Sequence, residues 1–146
     1  TDLSPDALQV AALNAQRHGV SHRVLLLQGD LLEPLLPKGS RTGPVDILVA
    51  NLPYIPGAVL RSLPPEISLG EPPLALLGGE SGTEVIGRLL LQVQGWIRSP
   101  GLLLLEFGDD QGAALLRLAD ECLPEARTRV IKDLAGLDRL LRIELP

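Results

Sequence analysis

Asn51 and Tyr54 close an apolar run in residues 45–56, VDILVANLPYIP, and place an amide and a ring side by side. The aliphatic stretch 45–50 suits a buried parallel strand, and Pro53, with no N–H to give to a ladder, ends pairing. Asn51 is therefore expected just past the strand's C-terminal end, the edge at which ligands bind in open α/β sheets. A side-chain amide carries both acceptor and donors, which suits a planar group bearing NH2. The Asn51 oxygen and a neighbouring backbone carbonyl can each accept one N–H from such a group. That fixes the nitrogen and turns its remaining face toward a reaction partner. Tyr54 supplies a face to stack on or a wall to pack against.

The elements that must carry these residues alternate between helix and strand. Ser4 is a good N-cap with Pro5 at the first helical position, Leu8, Ala11, Ala12 and Ala15 make an apolar stripe, and Gly19 ends the helix. A short strand is expected over 23–28, a Pro- and Gly-containing loop over 31–44, and a second Pro-rich stretch over 56–73. A helix follows over 83–97 with Trp96 as a helix-face anchor, then a Ser99-Pro100-Gly101 turn and a buried strand over 102–107. Another helix fits 111–123, with Cys122 packing near its end. Strands over 128–132 and 139–145 form an antiparallel hairpin. Gly78, Gly79 and Gly82 follow no clear strand and lack a Lys, so they read as a helix-entry loop and not as a phosphate cradle.

Composition narrows the function class. A chain of 146 residues, 45% hydrophobic, suits one domain with a core, and no apolar run approaches the roughly 20 residues of a membrane span. Net charge is −5 and the 13 basic residues form no block, which argues against a phosphate-backbone partner and for a protein substrate. With a single cysteine, Cys122, there is no internal disulfide framework, and no targeting segment is visible, so a cytoplasmic protein is expected. His18 and His22 have no Cys or acidic partners at ligand spacing, so no metal is expected. The chain contains no Met and reads as a fragment or a processed piece.

Asn51-Leu52-Pro53-Tyr54 resembles the Asn-Pro-Pro-Tyr signature of methyltransferases that alkylate planar amide or amino nitrogens with S-adenosylmethionine. Asp2-Leu3-Ser4-Pro5-Asp6-Ala7-Leu8, Gln28-Gly29-Asp30-Leu31, Leu63-Pro64-Pro65-Glu66 and Glu71-Pro72-Pro73-Leu74-Ala75-Leu76 extend the likeness. So do Gly78-Gly79-Glu80-Ser81-Gly82, Leu105-Glu106-Phe107-Gly108 and Lys132-Asp133-Leu134-Ala135-Gly136. Together these segments resemble the HemK/PrmC family, the protein-(glutamine) methyltransferases of peptide-chain release factors, nearly end to end. The resemblance implies an α/β fold, a doubly wound class I methyltransferase-like sheet ending in an antiparallel hairpin. It also implies that residues 1–146 are the C-terminal part of a single catalytic domain. The family's N-terminal substrate-docking domain, first strand and Gly-rich loop have no counterpart here.

The same resemblance assigns roles. Asp2 matches an acidic residue that accepts the ribose hydroxyls of S-adenosylmethionine; by pattern alone it reads equally as an exposed loop carboxylate or a helix-entry charge. Asp30 and Leu31 match residues that contact the adenine ring, and by pattern alone Asp30 is a turn cap at a strand end. Asn51 matches a cofactor-binding and catalytic residue that accepts a hydrogen bond from the substrate glutamine amide, with the Leu52 carbonyl as second acceptor, Pro53 along the substrate, and Tyr54 as a second catalytic residue whose ring packs there. Catalysis would come mainly from orientation, with no dedicated general base. Leu52 departs from the usual proline, which restores an N–H and loosens φ. Asn-Leu-Pro-Tyr is also the form familiar from rRNA adenine dimethyltransferases, so an rRNA or DNA adenine amino-group methyltransferase is one alternative. A non-catalytic methyltransferase-like binding module is another. Glu106, Gly108 and Gln111 match a family segment at a strand's end, where a structural role is expected.

Overall fold

Two compact units divide the chain, Thr1–Gly43 and Pro44–Pro146. The computed structural model describes residues 1–35, 43–62, 64 and 70–146. Of the Leu63-Pro64-Pro65-Glu66 segment only Pro64 lies among them, and residues 36–42 of the expected loop lie outside as well.

In the first unit, local chemistry builds helix α1 (Pro5–Arg17). The Ser4 hydroxyl accepts the Ala7 N–H at 3.2 Å, and Pro5 occupies a position whose N–H would lack a partner in any case. Gly19, at φ +68, turns the chain out of the helix. Of the expected stripe, Ala15 is buried, Leu8 and Ala11 are half-buried and Ala12 is exposed. The strand expected over 23–28 does not form. Ser21–Arg23 is a 3-10 turn, followed by extended backbone with one parallel bridge, Asp2 to Gln28. Val, Leu and Leu at positions 24–26 favour extension, but a strand also needs a ladder. Here the Asp2 N–H donates to the Leu27 carbonyl at 3.2 Å and the Asp2 carbonyl accepts from the Gly29 N–H at 3.0 Å. The loop from residue 31 begins as a packed turn, with Leu31 and Leu32 buried and a 3-10 turn at Glu33–Leu35.

The second unit runs β1 (Val45–Asn51), β2 (Ile55–Pro56), α2 (Gly57–Leu60), α3 (Pro73–Leu76), β3 (Leu77–Gly79), α4 (Glu84–Gln92), β4 (Ile97–Glu106), α5 (Gly112–Cys122), β5 (Arg127–Lys132) and β6 (Asp138–Leu145). The main sheet has the order β1-β4-β6-β5, with β1 parallel to β4 and the other pairs antiparallel; β2 and β3 form a small parallel pair. This is the expected α/β sheet closing on an antiparallel hairpin.

Cross-strand pairs explain the core. Leu103 faces Ile143 and Leu105 faces Leu141 across the β4–β6 ladder, and all four are fully buried together with Phe107. Leu48 of β1 sits beside Leu103 and continues that row. Helix α4 contributes Ile86, Leu89 and Leu90 at i, i+3 and i+4, and α5 contributes Leu115 and Ala119 at i and i+4. α5 packs on β5 and β6 and against α4.

Several expectations are corrected. β1 is parallel as expected, yet only its Leu48 is buried, while Ile47 and Val49, which alternation places on the opposite face of the strand, are exposed. The helix expected to reach residue 97 ends at Gln92, and Gly95 at φ +82 redirects the chain. Trp96 therefore precedes β4, where its carbonyl accepts the Val45 N–H at 2.8 Å. Ser99-Pro100-Gly101 is a bulged part of β4 and not a turn. The β1–β4 register jumps from Val45–Ile97 to Ile47–Leu102, while Gly101 already pairs with Leu145 of β6. Within the Pro-rich stretch, α2 and α3 form single helical turns. Gly78 and Gly79 belong to β3, leaving Gly82 alone in the approach to α4.

Candidate active site

Asn51 is the last residue of β1, one position inside the expected strand end, and pairs with Glu106, the last residue of β4. The amide thus stands at the C-terminal edge of the parallel pair, and Asn51 is exposed. Leu52, Pro53 and Tyr54 follow half-buried and lead into β2.

What holds this segment comes from far along the chain. Gly78 of β3 passes so close that a Cβ there would lie 2.6 Å from Tyr54 Cα and 2.8 Å from the Pro53 carbonyl oxygen. Gly82, at φ +85, would direct a Cβ onto the Tyr54 carbonyl oxygen and the Gln111 side chain. Both glycines are needed because backbone meets backbone. The Gln111 amide nitrogen donates to the Tyr54 carbonyl at 2.8 Å and to the Ser81 carbonyl at 3.4 Å, and its oxygen accepts the Gly108 N–H at 3.0 Å. Ser81 is tied in turn to α4: its N–H donates to a Glu84 carboxylate oxygen at 2.8 Å, which holds that carboxyl below its usual pKa.

The phenol end of Tyr54 is also tethered. Its hydroxyl donates to Glu106 at a long 3.5 Å. Burial first, then the Glu106 charge, raise the phenol above its ordinary pKa, while the Arg139 guanidinium pulls the other way. Tyr54 is therefore a neutral phenol across the physiological range. Arg139 itself donates to the Phe107 carbonyl at 3.1 Å and pairs with Asp133 at 3.2 Å, which ties the β5–β6 turn to the end of β4.

The other predicted residues gather in the first unit. The Asp2–Gln28 bridge brings Asp2 alongside the Gln28-Gly29-Asp30-Leu31 segment, and the Thr1 hydroxyl donates to the Leu31 carbonyl at 2.7 Å. Leu31 stands at φ +51, a left-handed conformation uncommon for a bulky side chain, and is buried. One Asp2 carboxylate oxygen accepts the Ser4 N–H at 2.8 Å at the entry to α1, so the helix-entry reading of Asp2 is realised. Asp2 is exposed. Asp30 is half-buried, and its carbonyl accepts the Glu33 N–H at 2.9 Å. The structure therefore brings Asp2, Asp30 and Leu31 together in one unit, and Asn51, Leu52, Pro53 and Tyr54 with Gly78, Glu106 and Gln111 in the other. No group of His, Cys, Asp and Glu able to hold a metal occurs among the described residues. No helix among them is long and apolar enough to cross a membrane.

In the sequence Gln111 and Glu106 stand out only as part of a strand-end segment, and nothing local singles out Arg139. Gln111 is polar at the start of an amphipathic helix, an ordinary place for a cap, and its partner Tyr54 lies 57 residues away. No local pattern encodes that contact.

No family model matches the chain. Individual proteins do. The release factor glutamine methyltransferase of Moorella thermoacetica is 47% identical over 139 residues, 95% of this chain and 47% of its own length. That of Cereibacter sphaeroides is 39% identical over 146 residues, all of this chain and 50% of its own length. The chain thus spans about half the length of the curated relatives it matches. Among solved structures, the ribosomal protein L11 methylase of Lactobacillus delbrueckii subsp. bulgaricus superposes with a TM-score of 0.62 at 17% identity, over 97% of this chain and 54% of that one. The E. cuniculi Mtq2–Trm112 complex, responsible for methylation of the eRF1 translation termination factor, gives 0.54 at 20% identity, over 99% of this chain and 83% of that one. At such identities the structures speak to fold, and the fold they share with this chain is that of methyltransferases. Over the half of their length that it spans, the chain is similar to the release factor glutamine methyltransferases, the HemK/PrmC family.

Proposed function

We propose that the protein of which this chain forms the given part methylates the side-chain amide nitrogen of a glutamine in a peptide-chain release factor, in the cytoplasm, as a step of translation termination. The observation that carries this reading is the position of Asn51-Leu52-Pro53-Tyr54 at the exposed C-terminal edge of the parallel β1–β4 pair, in a chain homologous to release factor glutamine methyltransferases along almost its whole length.

The roles follow from the chemistry. An amide nitrogen is a poor nucleophile because its lone pair is delocalised into the carbonyl. Asn51 accepts one substrate N–H through its side-chain oxygen and the Leu52 carbonyl accepts the other, which aims the nitrogen's remaining face. The neutral Tyr54 ring, its hydroxyl directed at Glu106 and its backbone carbonyl held by Gln111, forms a wall along the glutamine side chain. Orientation of this kind can supply several kcal/mol, up to about 7–11, of barrier reduction. Asp2, Asp30 and Leu31 are the groups to hold S-adenosylmethionine: an exposed carboxylate oxygen for ribose hydroxyls, and a carboxylate and an apolar side chain for the adenine. The donor set fits such a group, with acceptors for hydroxyls and an amino group in one place. When bound, S-adenosylmethionine supplies an electrophilic methyl on sulfonium.

The test is methyl transfer by the full-length protein onto purified release factor, followed by peptide mass spectrometry. The expected product is a single methyl group on a glutamine. Asn51→Ala is expected to lower kcat/KM by about 10²-fold or more while S-adenosylhomocysteine binding, read by calorimetric titration, persists. Binding without methylation of the release factor would overturn the substrate, and absence of both would favour a non-catalytic module.

A further inference from the structure

We propose that Gln111 is a positioning residue that sets the direction of the backbone carbonyls in Asn51-Leu52-Pro53-Tyr54; this rests on the methyltransferase reading given above. Gln111 is buried, and it uses one amide to join three separate pieces of chain. Its nitrogen serves the Tyr54 carbonyl and the Ser81 carbonyl, and its oxygen serves the Gly108 N–H. The orientation is forced by the partners, since the reversed amide would set its oxygen against two carbonyls and its NH2 against an N–H.

The consequence for the candidate site lies in what is left free. Asn51 is fixed at one end by the ladder with Glu106. Tyr54 is fixed at the other by Gln111, and Gly78 closes off the Pro53 carbonyl side. Pro53 has its φ locked by its ring, so the remaining backbone freedom of the segment sits at Leu52, the position where a proline would have removed it. Leu52 also carries the carbonyl assigned as second acceptor for the substrate amide. Releasing Tyr54 would pass directly into the aim of that carbonyl. A misplacement of about 1 Å in a reacting group can cost on the order of 10²-fold in rate. Gln111 touches neither substrate nor cofactor in this arrangement and acts through the Tyr54 backbone alone.

The test uses Gln111→Glu in the full-length protein. The carboxylate keeps an acceptor for the Gly108 N–H but turns a second oxygen toward the Tyr54 and Ser81 carbonyls, where two donated hydrogen bonds are lost. The expected result is a fall in kcat of about 10- to 100-fold on a glutamine-bearing release factor, with S-adenosylhomocysteine affinity changed by no more than about twofold. A kcat per folded molecule equal to wild type overturns the proposal, whatever the change in Tm. So does a parallel loss of cofactor affinity, the signature of a general loss of structure. Should Gln111→Glu fail to fold, Gln111→Met keeps the buried volume without charge and is read by the same criteria. In the wild-type protein, the Gln111 side-chain amide resonances are expected to shift when substrate is added at saturating S-adenosylhomocysteine, and their failure to shift overturns the proposal as well. A wild-type protein that methylates no glutamine is a separate result: it overturns the functional reading and, with it, the assignment of Gln111.

Discussion

Two glycines in this chain look alike on paper and differ in what surrounds them. Gly78 lies against the Tyr54 and Pro53 backbone, so a methyl group there must move the very segment assigned to the substrate amide. Gly87 is in the interior of α4, and a Cβ there would meet only Leu118 Cδ1, at 3.9 Å, an ordinary van der Waals contact. Gly78→Ala is therefore expected to destabilise the fold by roughly 1–3 kcal/mol, as other overpacked sites do, and to reduce methyl transfer beyond that loss. Gly87→Ala is expected to stabilise by about 0.5–1 kcal/mol, because alanine surrenders less backbone entropy in a helix. Denaturant unfolding of the two variants measures both effects. A neutral Gly78→Ala would mean that the β3 backbone yields and that the close approach is not required. The same residue scale explains what remained hidden in the sequence at the site. Asn51 and Tyr54 could be singled out because a strand end and a proline mark them locally. Gln111, Gly78 and Arg139 act on them only through contacts that long stretches of chain must first fold to create.

The element with the clearest electrostatic signature is the β5–β6 hairpin. In its turn the Asp133 carboxylate accepts the Leu137 N–H at 3.1 Å and the Ala135 N–H at 2.9 Å, and pairs with Arg139. The Leu137 N–H foremost holds the carboxyl below its usual pKa, desolvation opposes it, and the Arg139 and Ala135 donors add to the lowering. A carboxyl with a depressed folded-state pKa stabilises the fold in full above its unfolded value, about 3.9, and the contribution fades as pH falls through the lower folded value. The Tm difference between wild type and Asp133→Asn is thus expected to be constant from about pH 5 to 8 and to shrink below about pH 4. Thermal unfolding across that range is the measurement, and a difference that grows on acidification would reverse the assigned sign. This hairpin was legible from alternation and a central glycine, as α1 was from Ser4 and Pro5, because such signals act within a few residues. The strand expected over 23–28 and the turn expected at Ser99-Pro100-Gly101 were misread for the opposite reason. Pairing decides both, and the partners are remote: among the described residues the 23–28 stretch has a single bridge, Gln28 to Asp2, whereas Gly101 finds Leu145 of β6.

At the scale of the whole molecule, burial is unevenly shared. Among the described residues of Thr1–Gly43 the buried apolar side chains are Ala15, Leu31 and Leu32, whereas Pro44–Pro146 holds the paired rows of β4 and β6 and the inner faces of α4 and α5. Regions with few buried contacts open at low free energy, and core strands open only with global unfolding. In native-state hydrogen exchange the α1 amides are therefore expected to exchange well before those of β4 and β6; equal protection in both units would contradict this distribution of the core. The division bears on function because three of the groups assigned to the cofactor, Asp2, Asp30 and Leu31, lie in the first unit. A ligand that binds only the folded form stabilises it by RT ln(1 + [L]/Kd), about 2.7 kcal/mol at a hundredfold excess over Kd. Added to the full-length protein at that excess, S-adenosylhomocysteine is expected to slow exchange in α1 and around residues 28–31 by about 10²-fold where opening releases the ligand, with β4 and β6 changed less. Protection gained only in the second unit would move the cofactor away from Asp2 and Asp30 and leave the Asp2 carboxylate with its local task at the α1 entry.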